Sequence, residues 1–599
     1  MGNNKLLIFL AEDYKIIDSY SFKPTDTDLI IMSPFLKLTT TYNKFNKIYY
    51  DEYLEEEKKN KNYKFINHFI WDWYKDNNNK DISLIDGLSI GESFVTSVQM
   101  LMTKTLKVYD SLDLILDKES KVFFSNNLSN FIKTILIEVC DKKKIKYNEI
   151  KNSKKFVENV NNQESIFNGE LRDQRWLRKY SSLLTVVFAN ILIYSQNHKL
   201  KNNKLKLLSI GSEKLNKSTE EEYNNNIIKI KPLSKLRDLF LYFNKNYFIY
   251  ISYKKKQGKN NTVKSINQKI IENISNKYKF NNTDTIQKIL RDEILLYSED
   301  LYNHYHAYKS LIKRLRPQII LITGETHELY QSITRAARQS QVKTILTSHG
   351  FSDFGYKAFK LGNSKIFDGA LAFGEDQYEN YIEQGFSNDE VVKSVFPYFK
   401  NFFPFKQTDK NKLYKKALIL FPEPNNLCSG QSLLAIDDYF YNIIRILKQL
   451  DIKILGFKSR YNSHTEIKNK EGYLEFNGEK YLHFYGYDNL LKYIKNIDFV
   501  VGPLCSAIYE VFLEGKDYYA FQNDDIAKYT PNYRDSIYKF LHISSNPSEL
   551  LDNIKDRKLF KKNYSIYDLT YLKDIVKEDQ IFEKFDKSIL KLTSNIYEK

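Results

Sequence analysis

Short β-branched apolar runs alternate with stretches of helical periodicity along much of this chain, most plainly over residues 316–375. Arg316-Pro317 ends a helix, because proline has no N–H and restricts the residue before it. Gln318 to Ile322 is apolar at every position but the first, the pattern of a strand buried on both faces. Thr323-Gly324-Glu325-Thr326 then turns the chain into a helix over His327 to Gln341, with Leu329, Ile333, Ala336 and Ala337 on one side. Lys343 to Leu346 reads as a second strand, closed by Thr347-Ser348-His349-Gly350. Gly369 to Phe373 reads as a third, closed by Gly374-Glu375. Strands alternating with helices imply right-handed crossovers and a parallel sheet. Ligands of such sheets bind outside the strands' carboxyl ends, so Glu325, His349, Gly350 and Glu375 share the edge where chemistry is expected. Any one of them alone is an ordinary turn residue; three successive polar strand ends are harder to set aside.

The same pattern opens the chain. Lys5 to Leu10 ends in Ala11-Glu12-Asp13, Asp28 to Met32 ends in Ser33-Pro34, and Lys47 to Tyr50 follows, the first strands of another doubly wound sheet. Ile85 to Ser93, IDGLSIGES, is a small-residue turn before a helix from Phe94 to Leu116. Its Gly-x-x-x-Gly lacks the Gly-Lys-Ser/Thr of a nucleoside-triphosphate loop, so a helix start is the plainer reading. Ser89 and Ser93, with Glu12, are candidates for binding an acceptor. Lys121 to Phe124 and Leu128 to Lys142 continue as strand and helix. Residues 150–285, rich in Asn and Lys, read as an α-rich insertion or an elaborated part of the first domain. Within them Leu171 to Ser195 reads as a helix, and Lys206 to Ile210, Asn226 to Ile230 and Tyr247 to Tyr253 are strand-like. Asp284 to Leu315 reads as one long helix.

Phe396 to Lys412, with Pro397 and Pro404 among aromatics and then a charged stretch, marks a domain boundary. Beyond it the pattern restarts. Ala417 to Phe421 is a strand followed by Pro422-Glu423-Pro424. Ser432 to Leu450 is a helix, and Lys453 to Phe457 a strand ending in Lys458-Ser459-Arg460. Asp498 to Val501 ends in Gly502-Pro503-Leu504-Cys505-Ser506-Ala507, before a helix from Ile508 to Glu514. A strand running into a helix start offers free N–H groups and a favourable dipole to a phosphate. Ser506 adds a hydroxyl, Glu510 is placed to accept from ribose hydroxyls, and Lys458 and Arg460 to neutralise a diphosphate or a sugar carboxylate. The plainer readings are a helix cap for Ser506 and a solvated face for Glu510. The expected architecture is therefore α/β, two Rossmann-like doubly wound domains facing a cleft. An elaborated N-terminal domain spans 1–405, with its insertion at about 150–285. A second domain spans 406–560, and helices over 561–599 pack back on the first.

Composition changes this picture little. At 599 residues the chain exceeds one core, and 42% hydrophobic with 15% aromatic residues excludes a disordered chain. The charge of +17, from 91 basic and 74 acidic side chains, favours anionic partners. The lysines are dispersed, with no arginine-rich arm or zinc-finger spacing, so no nucleic-acid partner is expected. Cys140, Cys428 and Cys505 are far apart, which suggests neither zinc nor disulfides and fits a reducing cytoplasm. The apolar start is read as a strand, not a signal peptide. Ser181 to Tyr194 is shorter than the ~20 residues that span a bilayer, and reads as a buried helix.

The segments VKTILTSHGFSD and DGALAFGEDQYENYIEQGF, where one strand ends in His-Gly and the next in Gly-Glu, resemble bacterial surface-polysaccharide glycosyltransferases of the GT-B fold. Those include capsule and lipopolysaccharide enzymes and transferases of Kdo or sialic-acid-like sugars. GPLCSAIYEVFLEGK resembles their donor-binding stretch. The likeness covers about 316–525; at Lys458-Ser459-Arg460 the family's frequent Lys-x-His-Pro is absent. It implies metal-independent transfer, without a cofactor, from a CMP- or UDP-linked sugar. The acceptor would be a surface glycan, a lipid-linked molecule or a protein. The donor would lie against Gly350, Glu375, Glu423, Lys458, Arg460, Gly502, Ser506, Ala507 and Glu510, with Glu325 or His349 as base. Two alternatives remain open: a nucleotide-sugar 2-epimerase of the same double fold, and a non-catalytic scaffold. The positive charge also allows peripheral contact with the inner face of an anionic membrane.

Overall fold

The computed structural model describes residues 6–10, 17, 22–32, 43–125, 128–150, 207–210, 227–232, 247–250, 260–278, 283–323, 328–347, 360–361, 364–365, 367–383, 385–406, 413–420, 432–458, 473–476, 478–484, 490–505, 507–522, 539–561 and 564–598. Their strands form three large sheets.

The first sheet holds β1 (Leu6–Leu10), β2 (Thr27–Ile31), β3 (Asn46–Tyr49) and, beyond a hairpin of β4 (Leu84–Ile85) and β5 (Leu88–Ser89), β6 (Lys121–Ser125) and β7 (Tyr147–Ile150). The second holds β8 (Leu207–Ile210), β9 (Ile227–Pro232), β10 (Tyr247–Tyr250), β11 (Ile319–Thr323) and β12 (Lys343–Thr347). After a hairpin of β13 (Lys360–Leu361) and β14 (Ser364–Lys365) it ends with β15 (Gly369–Ala372) and β16 (Val391–Lys393). The third holds β17 (Lys416–Leu420), β18 (Lys453–Lys458), β19 (Tyr473–Phe476), β20 (Glu479–Phe484), β21 (Phe499–Gly502), β22 (Asp517–Phe521) and β23 (Ile543–Ser544).

The spatial orders are β3-β2-β1-β6-β7, β10-β9-β8-β11-β12-β15-β16 and β19-β20-β18-β17-β21-β22-β23. Counted by chain order, the first two sheets follow 3-2-1-4-5, the doubly wound Rossmann order, the second extended beyond it. The parallel strands of the third follow it too once the antiparallel edge strand β19 is set aside. Pairing within the three is parallel throughout, except for the antiparallel edge strand β19. Parallel strands are covered on both faces, and β2, β11, β15, β21 and β22 are accordingly buried at every residue.

The helices used below are α1 (Glu56–Phe69), α2 (Val95–Ile115), α3 (Asn130–Lys143), α4 (Asn260–Lys277), α5 (Thr283–Glu293), α6 (Ser298–Leu315), α7 (Glu328–Gln339), α8 (Glu375–Glu383), α9 (Leu433–Gln449), α10 (Ala507–Leu513) and α11 (Asp579–Glu598).

The α/β class and the doubly wound sheets are those expected from the pattern. Three details differ. The stretch read as an α-rich insertion is an integral part of the second sheet, where its three strand-like runs are β8 to β10. Their runs are four to six residues long, and of the three only β9, with Ile227-Ile228-Lys229-Ile230-Lys231, is interrupted by lysines. The long helix over 284–315 is two helices, broken at a 3-10 turn, Leu295–Tyr297, that tucks Ile294, Leu295 and Tyr297 into the core. Strand β19 and helix α4 were not anticipated. The helix read over Leu171 to Ser195 lies outside the described residues. At the other end, α11 packs on β15 and β16, where a side chain on Gly369 would meet Leu592 and Ile596 at 2.9 Å.

Candidate functional site

A Rossmann-ordered sheet binds its ligand where the strand order reverses, which is β1/β6, β8/β11 and β17/β21 here. The third sheet's reversal is the best described. Strand β21 ends at Gly502 because a side chain there would come within 2.4 Å of the Tyr518 hydroxyl and 2.9 Å of Leu420. Tyr518 donates to the Pro503 carbonyl at 2.5 Å, which pins the turn into α10. Ala507 opens that helix. Glu510, one turn in, is 7% exposed, so it is not on a solvated face. Burial, and then the Glu510 charge, push the Tyr398 phenol up. Lys458 closes β18, the neighbour of β17, and is also buried. Burial and the Lys458 charge hold the adjacent His483 down at about 4, so its imidazole is neutral.

The second unit meets this edge. Glu375 and Asp376 begin α8 at the carboxyl end of β15. Tyr509 of α10 donates to Asp376 Oδ1 at 3.0 Å, and both are buried. A side chain on Gly374 would lie 2.6 Å from the Asp376 carboxylate and 2.8 Å from the Tyr509 hydroxyl. Glu375 is held by Lys393 at 2.7 and 2.9 Å. Burial and Glu375 push the Tyr571 phenol up. Lys539 reaches Glu379 at 2.6 Å on the rim. The carboxyl edge of the second sheet therefore abuts the start of the third sheet's α10.

The ends of β11 and β12 lie side by side, with the buried Thr323 and Thr347 hydroxyls 2.7 Å apart. Glu325 and His349 each follow one of these ends by two residues. They lie outside the described residues, as do Glu12, Gly350, Glu423, Arg460 and Ser506.

Ser89 and Ser93 are placed, and their hydroxyls are spent within the turn. Ser89 accepts from the Glu92 amide at 3.1 Å as a helix cap. Ser93 donates to the Ser89 carbonyl at 2.7 Å. Both are buried, so this geometry supports capping and not acceptor binding. The Gly-x-x-x-Gly around them is no phosphate cradle. Asp86 and Gly87, both at positive φ, form the two-residue turn of the β4–β5 hairpin. A side chain on Gly87 would collide with Gln339, and one on Gly91 with Tyr74.

A second polar centre was not visible in the sequence. Asp51, just past β3, forms an ion pair with Lys107 of α2 at 2.8 Å. It also accepts from the Leu433 amide, the first of α9, at 3.0 and 3.3 Å. Tyr49 donates to Asp437, one turn along α9. Residues 382 apart in sequence meet here, and no spacing rule links them. Among the described residues no group of His, Cys, Asp and Glu could hold a metal ion, and no helix is long and apolar enough to cross a membrane.

These features define an α/β protein of linked doubly wound units, with a polar site where carboxyl edges meet. No family model matches the sequence, and no curated protein does. Among solved structures it is similar to a UDP-GlcNAc 2-epimerase from Neisseria meningitidis bound to UDP-GlcNAc, at 12% identity and TM-score 0.34, over 59% of this chain and 91% of that one. It is similar to MurG of Acinetobacter baumannii at 8% identity and TM-score 0.32, over 66% and 100%. A glycosyltransferase from Rickettsia africae matches at 12% and 0.34, over 66% and 97%. Likeness of this order says nothing about chemistry.

Proposed function

We propose that the protein is a glycosyltransferase that takes its sugar from a nucleotide-linked donor held at the β17/β21 reversal of the third sheet. The observation that carries this reading is the junction of α8 with α10. The carboxyl edge of one Rossmann-ordered sheet abuts the helix start at the reversal point of another, through Asp376 and Tyr509. A dinucleotide-sized ligand at such a reversal meets groups from both units. In this reading the diphosphate lies at the Gly502 to Ala507 turn, near Ser506 and Lys458, and Glu510 holds the ribose. Arg460, Glu423, Gly350 and Glu375 stand around the sugar. Preorganised amides and cations stabilise the leaving phosphate, so no metal is required. Glu325 or His349, beside the ends of neighbouring strands β11 and β12, removes the acceptor proton. The resemblance at 342–353, 368–386 and 502–516 favours CMP or UDP as the nucleotide, and a surface glycan or lipid-linked acceptor at the inner membrane face.

Thermal unfolding in CMP, UDP, GDP and CDP tests the reading. A ligand at 100 times its dissociation constant adds about 2.7 kcal/mol. A shift with CMP or UDP, in the absence of metal, is expected. Flat melting with all four overturns it in favour of a scaffold. Turnover of a UDP-linked sugar to its 2-epimer without acceptor overturns it in favour of an epimerase.

A further inference from the structure

The first unit is held against the third by a buried charge cluster that the transfer reading does not use. Asp51 and Lys107 are 1% and 3% exposed, Tyr49 is fully buried and Asp437 is 3% exposed. Helix α9 is 17 residues long and begins at the carboxyl edge of the third sheet, directly after β17 in strand order. Its first N–H groups have no partner within the helix. Ser432 accepts from the Ala435 amide at 3.1 Å, and Asp51 of the first unit takes the Leu433 amide. A carboxylate at a helix start is favoured by the dipole, and a bond to an ionised acceptor is about twice as strong as a neutral one. Asp51 is paired in the interior with Lys107, whose ammonium also stands 5.7 Å from the Tyr50 ring. A buried pair of this kind does little for stability beyond offsetting its own desolvation, and its surplus lies in fixing one geometry.

We infer that Asp51 is a latch: the first unit supplies the anion that caps α9, and so fixes the carboxyl edge of its own sheet against the first helix of the third. Lys107 pairs with the latch and Tyr49 sets its register on Asp437. Helix α9 cannot shift against β3 without breaking the Asp51 bond to the Leu433 amide and the Tyr49 bond to Asp437. The inference stands whether or not the protein transfers sugars.

Hydrogen exchange of the full chain tests it. In Asp51→Asn the Leu433 amide exchanges about tenfold faster than in the wild type, the weakening expected when a carboxylate acceptor is replaced by a neutral amide oxygen. The double variant Asp51→Asn/Lys107→Met removes both buried charges and so tolerates the loss of Asp51. It keeps the fast exchange at α9, while β21 stays protected. Tyr49→Phe gives a smaller acceleration in the same segment. Wild-type protection of α9 in the double variant would overturn the inference, since Asp51 would then serve only to neutralise Lys107.

Discussion

The first unit touches its two partners in opposite ways. Against the second it forms a long seam. Arg335 pairs with Glu92, and Ser97 donates to Glu328. Tyr302 donates to Asp86 at 2.5 Å, and Tyr305 to the Asp86 carbonyl at 2.7 Å. Lys277 and Tyr278 grip Asp72 at 2.6 and 2.5 Å, over an aromatic contact of Phe69 with Tyr278. Helix α5 packs on α2 and α3. Against the third unit the described polar contact is concentrated at Asp51 and Tyr49. A seam shares its load among many contacts, buried at Ser97 and Glu328 and partly exposed at Asp72 and Glu92, so that no single one carries it. The partly exposed pairs contribute little each. A point contact built on a buried charge fails as a whole when one member goes. The difference teaches that the first and second units are joined for strength, and the first and third for a defined orientation.

Loss of one member separates the two regions most sharply. Lys107→Ala leaves the Asp51 carboxylate buried without its cation, and costs about 3–5 kcal/mol. Chemical denaturation checks it. A cost of the size seen for surface pairs would remove the distinction between seam and latch. On the seam, Asp72→Ala costs about 1–2 kcal/mol, because the neighbouring contacts persist. This site also carries a pH signature. Burial pushes the Asp72 carboxyl up, but the Lys277 and Tyr278 bonds outweigh it and hold it below its usual value of 3.8. Its folded pKa is depressed, so its stabilisation is fully present above about pH 4 and is lost as pH falls through the lowered value. Denaturation midpoints across that acid range fall in the wild type, and the Asp72 share of the fall is missing in Asp72→Ala.

Strand ends and helix starts of the second and third sheets were legible in the residues to within one or two positions, because each apolar run there is continuous and punctuated by Gly, Pro or a cap. Ser432 and Ser89 each precede a helix and cap it. Strands β8 to β10 were legible as short strand-like runs, but not as members of the second sheet, because β8 pairs with β11 far along the chain. At the candidate site, Gly502, Lys458 and Glu510 were found from strand-end logic, and each lies at the third sheet's carboxyl side. The partners that organise them were not found. Asp376 and Tyr509 meet across 133 positions, and Asp51 and Leu433 across 382. Such pairs are set by how whole units dock, and a single sequence carries no local signal of it. The serines at 89 and 93 show the converse error, where small polar residues near glycines are consumed by the backbone.

The account's central claim is that a nucleotide-linked donor occupies the β17/β21 reversal. Hydrogen exchange of the full chain with and without UDP or CMP addresses it directly. The expected result is slowed exchange over Phe499 to Leu513, at the β21–α10 turn, with the nucleotide that raises the melting temperature. Protection confined to the second sheet, or none at any concentration that saturates binding, would contradict it.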